Sequence, residues 1–123
     1  MKIKLFYILN SKDTLNILGA KSFNDGATCY KLARNIKNIN IELDNFEKIK
    51  TELVKKYGEE KEDGNVQVTP SNKDEYIKEL NTILQREINI NIFPLNPEKI
   101  IGASPFQLMS IDWLLETENK EEV

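Results

Sequence analysis

The stretch DGATCYKLARNIKNINIELDNFEKIKTELVKKY, residues 25–57, decides the fold. Cys29, Ile36 and Leu43 share one heptad position, while Leu32, Ile39, Phe46 and Leu53 share the other. Apolar residues alternately three and four apart form a stripe along one side of a helix, because about 3.6 residues complete a turn. Charged and amide residues fill the remaining positions, so the spacing predicts one long amphipathic helix over 25–57. About 32 residues at a rise of about 1.5 Å would span about 48 Å, more than the width of a compact domain of this size. One end is therefore expected to project or to pair with another chain.

The ends of this helix carry their own signals. Asn24 or Asp25 can cap it after the turn at 23–26, and Lys55 and Lys56 place cations in its last turn. Gly58 is expected as the left-handed residue that closes it. The apolar seam also has a flaw. Continuing the heptad puts Lys50 on an apolar position, whereas Ile49 and Leu53 carry the stripe onward. The buried face is thus expected to rotate near 46–49, as in an irregular helical hairpin rather than a regular coiled coil. Ile41 lies off the seam, either as a second contact or as a lone exposed isoleucine.

Residues 59–71 read as a polar connection, with Asp63-Gly64 as a tight turn and Val66 and Val68 as a small hairpin or extended tip. Asn72 and Glu75 have the spacing of a capping box ahead of Tyr76, Ile77, Leu80, Ile83 and Leu84. A second helix over 73–86, folded back along the first, follows from that. Ile88, Ile90 and Ile92 alternate with asparagines, which predicts a half-buried strand over 87–93, ended by Pro94 and Pro97. Ser104-Pro105-Phe106-Gln107 combines a serine cap, a proline at the first helical position and a glutamine three residues after the cap. A last helix over 105–115 is expected, then a frayed acidic tail over 117–123. At the other end, 2–9 reads as a short strand or extended arm that pairs with 87–93, followed by a short helix over 12–20 capped by Asn10 or Ser11. The expected fold class is α+β, mainly α, in a single domain spanning 1–123. It comprises a long helix and a shorter one as an antiparallel hairpin, a small two-stranded sheet and a C-terminal helix. The shorter helix can cover only half of the longer one, leaving residues 29–41 as the place to look for a dimer or a target.

The chain has 123 residues, 40% apolar and 30% charged, which is a globular composition. A net charge of −3 exerts no general pull toward nucleic acid, whose binding rests on releasing counterions with a basic surface. The single cysteine, Cys29, excludes an intramolecular disulfide and fits a reducing compartment. The apolar run 5–9 is short for a signal peptide, and no stretch approaches a membrane span. A soluble intracellular protein is the expectation.

The absence of histidine removes Ser-His and Cys-His nucleophilic pairs and histidine-based zinc sites together. Phosphate-cradling glycine motifs are missing too. The acidic run Glu59, Glu60, Glu62, Asp63 fails as an EF-hand. With Gly64 at the sixth loop position, Lys61 and Pro70 fall where ligands are required. It reads as a solvated turn, and a carboxylate–metal enzyme is the least favoured of three functional classes. No catalytic, cofactor or metal residue is assigned. Cys29 reads as a small buried hydrophobe facing the seam. Lys31, Arg34 and Lys37 share one helical face, which reads as solvated rather than phosphate-tracking, since acidic residues interrupt it and no aromatics are interleaved. Phe106 and Trp113 read either as core or as an anchor for a partner, with core the favoured reading. The candidate interaction surface is Lys31, Arg34, Lys37, Ile41, Phe106 and Trp113.

A set of segments in order carries a resemblance. They are Tyr30-Lys31-Leu32-Ala33-Arg34-Asn35-Ile36-Lys37, then Glu47 through Lys55-Lys56-Tyr57-Gly58, then Asp63-Gly64-Asn65. The helix 76–84, the strand 88–92 and Ser104-Pro105-Phe106-Gln107-Leu108-Met109 with Trp113-Leu114 complete it. Over residues 22–116 this order resembles a family of small uncharacterised proteins of tailed phages and prophages of Gram-positive bacteria; residues 2–9 fit it less well. The resemblance implies a phage protein acting in the cytoplasm of the infected host, and carries over no catalytic residue. The expected function is non-enzymatic, through protein–protein interaction, as a virion-assembly or accessory factor. The alternative is an inhibitor of a host antiphage defence system, of anti-CRISPR type, presenting carboxylates to a nucleic-acid groove. A phage or host protein is the expected partner, with a homodimer through the long helix possible; no nucleic acid, membrane or cofactor is expected.

Overall fold

Residues 1–116 are described by a computed structural model; the tail expected over 117–123 lies outside the described residues. The fold is α+β, mainly α, and its long helix, α3, runs from Gly26 to Tyr57. Leu32, Ile39, Leu43, Phe46 and Leu53 are its buried apolar residues. Lys50 is exposed and Ile49 half-buried, so the buried face shifts where the heptad fails.

After Tyr57 the chain returns antiparallel along α3, and its contacts can be followed in order. Asn72 donates to the Tyr57 carbonyl at 3.3 Å, and Lys56 meets Glu79 at 2.8 Å. Ile88 shares a cleft with Phe46 and Ile49. The Asn38 amide then donates to the Asn91 carbonyl at 3.1 Å, and the Asn35 amide to that of Phe93 at 2.9 Å. Helix α4, Lys73–Leu84, makes the first half of this return, and an extended segment makes the second. The expected bare half of α3 is therefore covered on one side, because chain without helical structure can lie in a groove too narrow for another helix.

The N-terminal segment corrects one expectation and meets another. Strand β1, Lys2–Lys4, pairs antiparallel with Glu87–Asn89, placing Ile3 opposite Ile88. Ile90 donates to the Met1 carbonyl at 2.8 Å and Leu5 to that of Arg86 at 2.9 Å, closing the ladder. Beyond it the chain is not extended but forms helix α1, Leu5–Asn10. Leu5 and Ile8, three apart, are buried, while Phe6 and Tyr7 face outward. A continuously apolar run has no period of its own, so packing chooses between strand and helix. Helix α2, Lys12–Leu18, follows, and buries Leu15 and Leu18. Ser11 is fully buried but does not cap it; its hydroxyl donates to the Ile8 carbonyl at 2.7 Å.

Gly58 is also corrected. Its backbone is extended (φ −115°), and it begins strand β2, Gly58–Glu60, which pairs with β3, Val66–Val68, as a second small sheet. Glycine is needed here for space. A Cβ would collide first with the Val54 carbonyl oxygen of the helix's last turn, and would lie 2.7 Å from the Gln67 carbonyl oxygen and 2.9 Å from a Val66 methyl. The left-handed residue is instead Gly64 (φ 89°), in the turn that joins the strands. Asn72 makes no helix cap: its backbone is helical (φ −104°, ψ 0°) rather than extended as a cap requires, and its side-chain amide donates instead to the Tyr57 carbonyl. The paired strand at 87–93, which we number β4, is only Glu87–Asn89.

The capping box at Ser104 forms as the spacing predicts. The Gln107 amide donates to the Ser104 hydroxyl at 3.1 Å, and the Ser104 amide to the Gln107 side chain at 2.9 Å. Helix α5 is shorter than expected, Pro105–Ser110, and a 3-10 turn over Asp112–Leu114 follows. Ile111 and Leu114 are fully buried and join Leu95 and Ile100 in the core. At about 1.5–3 kcal/mol for each large apolar side chain buried, these residues anchor the C-terminal region firmly. Leu95 and Glu116 donate across this junction at 2.8 Å each, to Leu114 and Leu95 respectively. The Thr14 and Ser110 hydroxyls, 2.6 Å apart, tie α2 to α5.

Candidate functional site

Helix α5 presents the most exposed aromatic side chain described. Phe106 is 82% exposed and Met109, three residues on and hence on the same helical face, is 70% exposed. Ile101, 73% exposed, lies in the turn that precedes the helix, where Gly102 takes a positive φ of 94°. The favoured core reading of Phe106 is thus overturned. Spacing alone places it with Trp113, but α5 ends before Trp113, so the two do not share one helical face. Trp113 is half-buried against the core, with its indole Nε1 enclosed and lacking an acceptor. Of the two residues, only Phe106 belongs to an open surface.

Residues Lys31, Arg34, Lys37 and Ile41 belong to the outer side of α3. Lys31 is half-buried; the other three are exposed, Ile41 at 53%. Arg34 is the best held of them. Its guanidinium donates to the Tyr30 hydroxyl at 3.0 Å and lies 5.8 Å from the Tyr30 ring centre and 5.3 Å from that of Phe93. These are cation–π distances. Aromatics are therefore interleaved with the cations after all: Tyr30 from the preceding turn, and Phe93 from the far end of the return segment. Among the described residues the one ion pair is Lys56–Glu79, so none of these three cations is neutralised by a carboxylate there.

Between the end of α2 and the first half of α3 lies an open groove of about 470 Å³. Leu32 and Ile36 line it beside Cys29, and Lys21 and Lys37 stand at its edge. Cys29 is half-buried rather than enclosed in the seam as expected, because α2 stops at Leu18 and does not cover it.

The acidic run sits on the β2–β3 hairpin with Glu59, Glu60, Glu62 and Asp63 all exposed. Asp63 serves its own turn, accepting from the Asn65 backbone at 3.0 Å and from its side chain at 3.1 Å. Among the described residues no three His, Cys, Asp or Glu side chains converge as a metal cluster, and no helix is long and apolar enough to cross a membrane. At the base of the hairpin, Glu79 accepts from Lys56 at 2.8 Å and from the Tyr57 hydroxyl at 3.0 Å. The bond from Lys56, then that from Tyr57, holds the Glu79 carboxyl below its usual range. The same bond to Glu79 raises Lys56 above its own.

Sequence reasoning passed over Asn35, the one fully buried side-chain amide among the described residues, and Phe93, which it read only as the end of a strand. Asn35 carried a signal, since it sits beside Ile36 and Ile39 on the inner face of a helix where a polar residue calls for a partner. Phe93 carried none, because its neighbours Asn35 and Arg34 are distant in sequence. No family model matches the chain, and comparison with curated proteins and with solved structures finds no match.

Proposed function

We propose that this chain is a phage-encoded binding protein that acts through the exposed face of α5, as an assembly or accessory factor rather than by catalysis. The observation that carries this reading is Phe106, 82% exposed beside Met109 on a helix that is itself rigidly held. A reciprocal cap, a proline start, a hydroxyl pair to α2 and the buried Ile111 and Leu114 fix that helix in place. An aromatic next to a flexible thioether on an already ordered helix is the composition of an interface anchor, since the backbone has little conformational freedom left to lose on binding. The phage setting rests on the resemblance described above.

The test is a pull-down from infected bacterial cells with the wild-type chain and the Phe106→Asp/Met109→Asp variant. A protein captured in stoichiometric amount by the first and lost with the second supports the reading. Equal capture by both would exclude the α5 face.

The alternative, an inhibitor of a host defence system, is favoured by a different observation, the four exposed carboxylates on the β2–β3 hairpin. Such a tip can offer carboxylates to a basic groove that otherwise holds nucleic acid. Substituting Glu59, Glu60 and Glu62 by glutamine would abolish capture under this alternative and leave it intact under the first.

A further inference from the structure

On the outer side of α3, Tyr30, Arg34, Lys37, Ile41, Asp44 and Lys48 are alternately four and three residues apart and form one straight ridge, opposite the buried seam. All six are exposed, Tyr30 at 61% and Ile41 at 53%. The ridge is bordered on one side by the groove at Ala33 and Lys37 and on the other by the return segment at Asn91 and Phe93. Nothing described crosses it.

A ridge with coiled-coil spacing can be matched against itself, and its charges discriminate between registers. In an antiparallel pairing centred between Arg34 and Lys37, the two copies would set those cations against each other. Centred between Ile41 and Asp44, Lys37 would face Lys48 of the second copy, again cation on cation. Centred at the level of Ile39, every facing pair is complementary. Arg34 meets Asp44 of the second copy, Tyr30 meets Lys48, and the aliphatic stem of Lys37 lies over Ile41. By the two-fold symmetry of such a pair, each contact occurs twice. We propose that the chain self-associates through this ridge as an antiparallel dimer in that register.

A polyanion is the competing occupant, given the cations and the aromatics, but Asp44 lies on the ridge itself and exposed Glu47 flanks it, and both would repel a polyanion. A second copy turns Asp44 into a partner instead. Each copy contributes only two large apolar residues, so the dimer is reversible and its register is set by charge. This proposal is independent of the α5 surface.

Sedimentation velocity on the full chain, from micromolar to millimolar concentration at low salt, tests it. The wild type should pass from monomer to dimer. Arg34→Asp and Asp44→Arg should each weaken the dimer about tenfold or more, and combining the two should restore it. Circular dichroism establishes that each variant remains helical. In a Cys29→Ser background, mixing Lys37→Cys with Ile41→Cys chains should give the mixed disulfide in excess of either like pair. A wild type monomeric throughout, a dimer indifferent to the single reversals, or a double variant that stays monomeric would each overturn the proposal. So would an RNA or DNA oligonucleotide that binds the ridge while the protein remains a monomer.

Discussion

Asn35 and Phe93 are joined by two hydrogen bonds. The side-chain carbonyl of Asn35 accepts from the Phe93 amide at 2.7 Å, and its amide donates to the Phe93 carbonyl at 2.9 Å. One fully buried side chain thus does for Phe93 what a neighbouring β-strand would do, satisfying both backbone groups of a residue that has left its ladder. It also fixes where the return segment crosses α3, and so places the Phe93 ring beside Arg34.

Asn35→Leu should therefore destabilise the protein by about 3 kcal/mol, because two backbone groups lose their partners and leaving each unsatisfied costs roughly 1–3 kcal/mol. Asn35→Asp should be no better, since a carboxylate cannot donate to the Phe93 carbonyl. Urea unfolding measures both. An unchanged midpoint would mean that water replaces the amide at no cost.

The two glycines at the ends of α3 should respond in opposite ways. Gly58→Ala forces a Cβ against the Val54 and Gln67 carbonyl oxygens and Val66, and is expected to cost about 1–3 kcal/mol. Gly26→Ala meets nothing within 4 Å and should stabilise by about 0.4–1 kcal/mol, through the smaller freedom of the unfolded chain. Thermal unfolding of the pair separates a steric role for Gly58 from a merely conformational one.

Glu79 and Lys56 set a pH window. The Glu79 carboxyl lies below its ordinary value of 4.5, so its contribution is present above that pH and is lost as pH falls through the lowered folded value. Lys56 lies above its ordinary 10.5, so its contribution is present below 10.5 and is lost as pH rises through the raised folded value. Both are therefore at full strength between about pH 4.5 and 10.5. A carbon-detected NMR titration should find the Glu79 midpoint below 4.5, and Lys56→Met should move it upward. Because both groups are well exposed, added salt should also move it upward.

Around α5, stability and binding should come apart. Ser104→Ala removes the hydroxyl that accepts from the Gln107 amide, though the Ser104 amide can still donate to the Gln107 side chain, and is expected to cost about 1 kcal/mol, seen as faster hydrogen exchange at Gln107. Phe106→Asp, on an open face, should change global stability by less than about 0.5 kcal/mol. Trp113→Ala, which strips a ring from the core edge, should cost about 2 kcal/mol. If Phe106→Asp proves as costly as Trp113→Ala, the Phe106 ring is core and not surface.

How much was legible in the chain depends on the range of the force involved. The seam of α3, its shift at Lys50, the turn at Gly64 and the cap at Ser104 are all written within a few residues, and all are present. The pairing of the N-terminal strand with the strand near residue 88 was also foreseeable, because each needs a partner and no other lone strand was in view. By contrast, the extended backbone that sets Gly58 against the Val54 carbonyl and against Val66 and Gln67 exists only because the chain turns into the hairpin there. Asn72 had the spacing of a cap, but the 3-10 turn before it leaves its backbone helical and its side-chain amide donates to the distant Tyr57 carbonyl. The candidate surfaces divided in the same way. Arg34 and Lys37 were placed on an outer face by spacing alone, whereas the Phe93 ring that holds Arg34 came from the far end of the return segment.

The sequence by itself thus determined the long helix and its buried side, because periodicity acts between residues one or two turns apart. The capping expected at its two ends is not made, since Asp25 forms no side-chain cap bond and Gly58 is extended. Only the tertiary structure decided that 5–9 is helical, that Phe106 faces out while Trp113 packs inward, and that Asn35 bonds a distant backbone. Those outcomes depend on which apolar surfaces are already covered when each segment arrives, and no local pattern of residues records that.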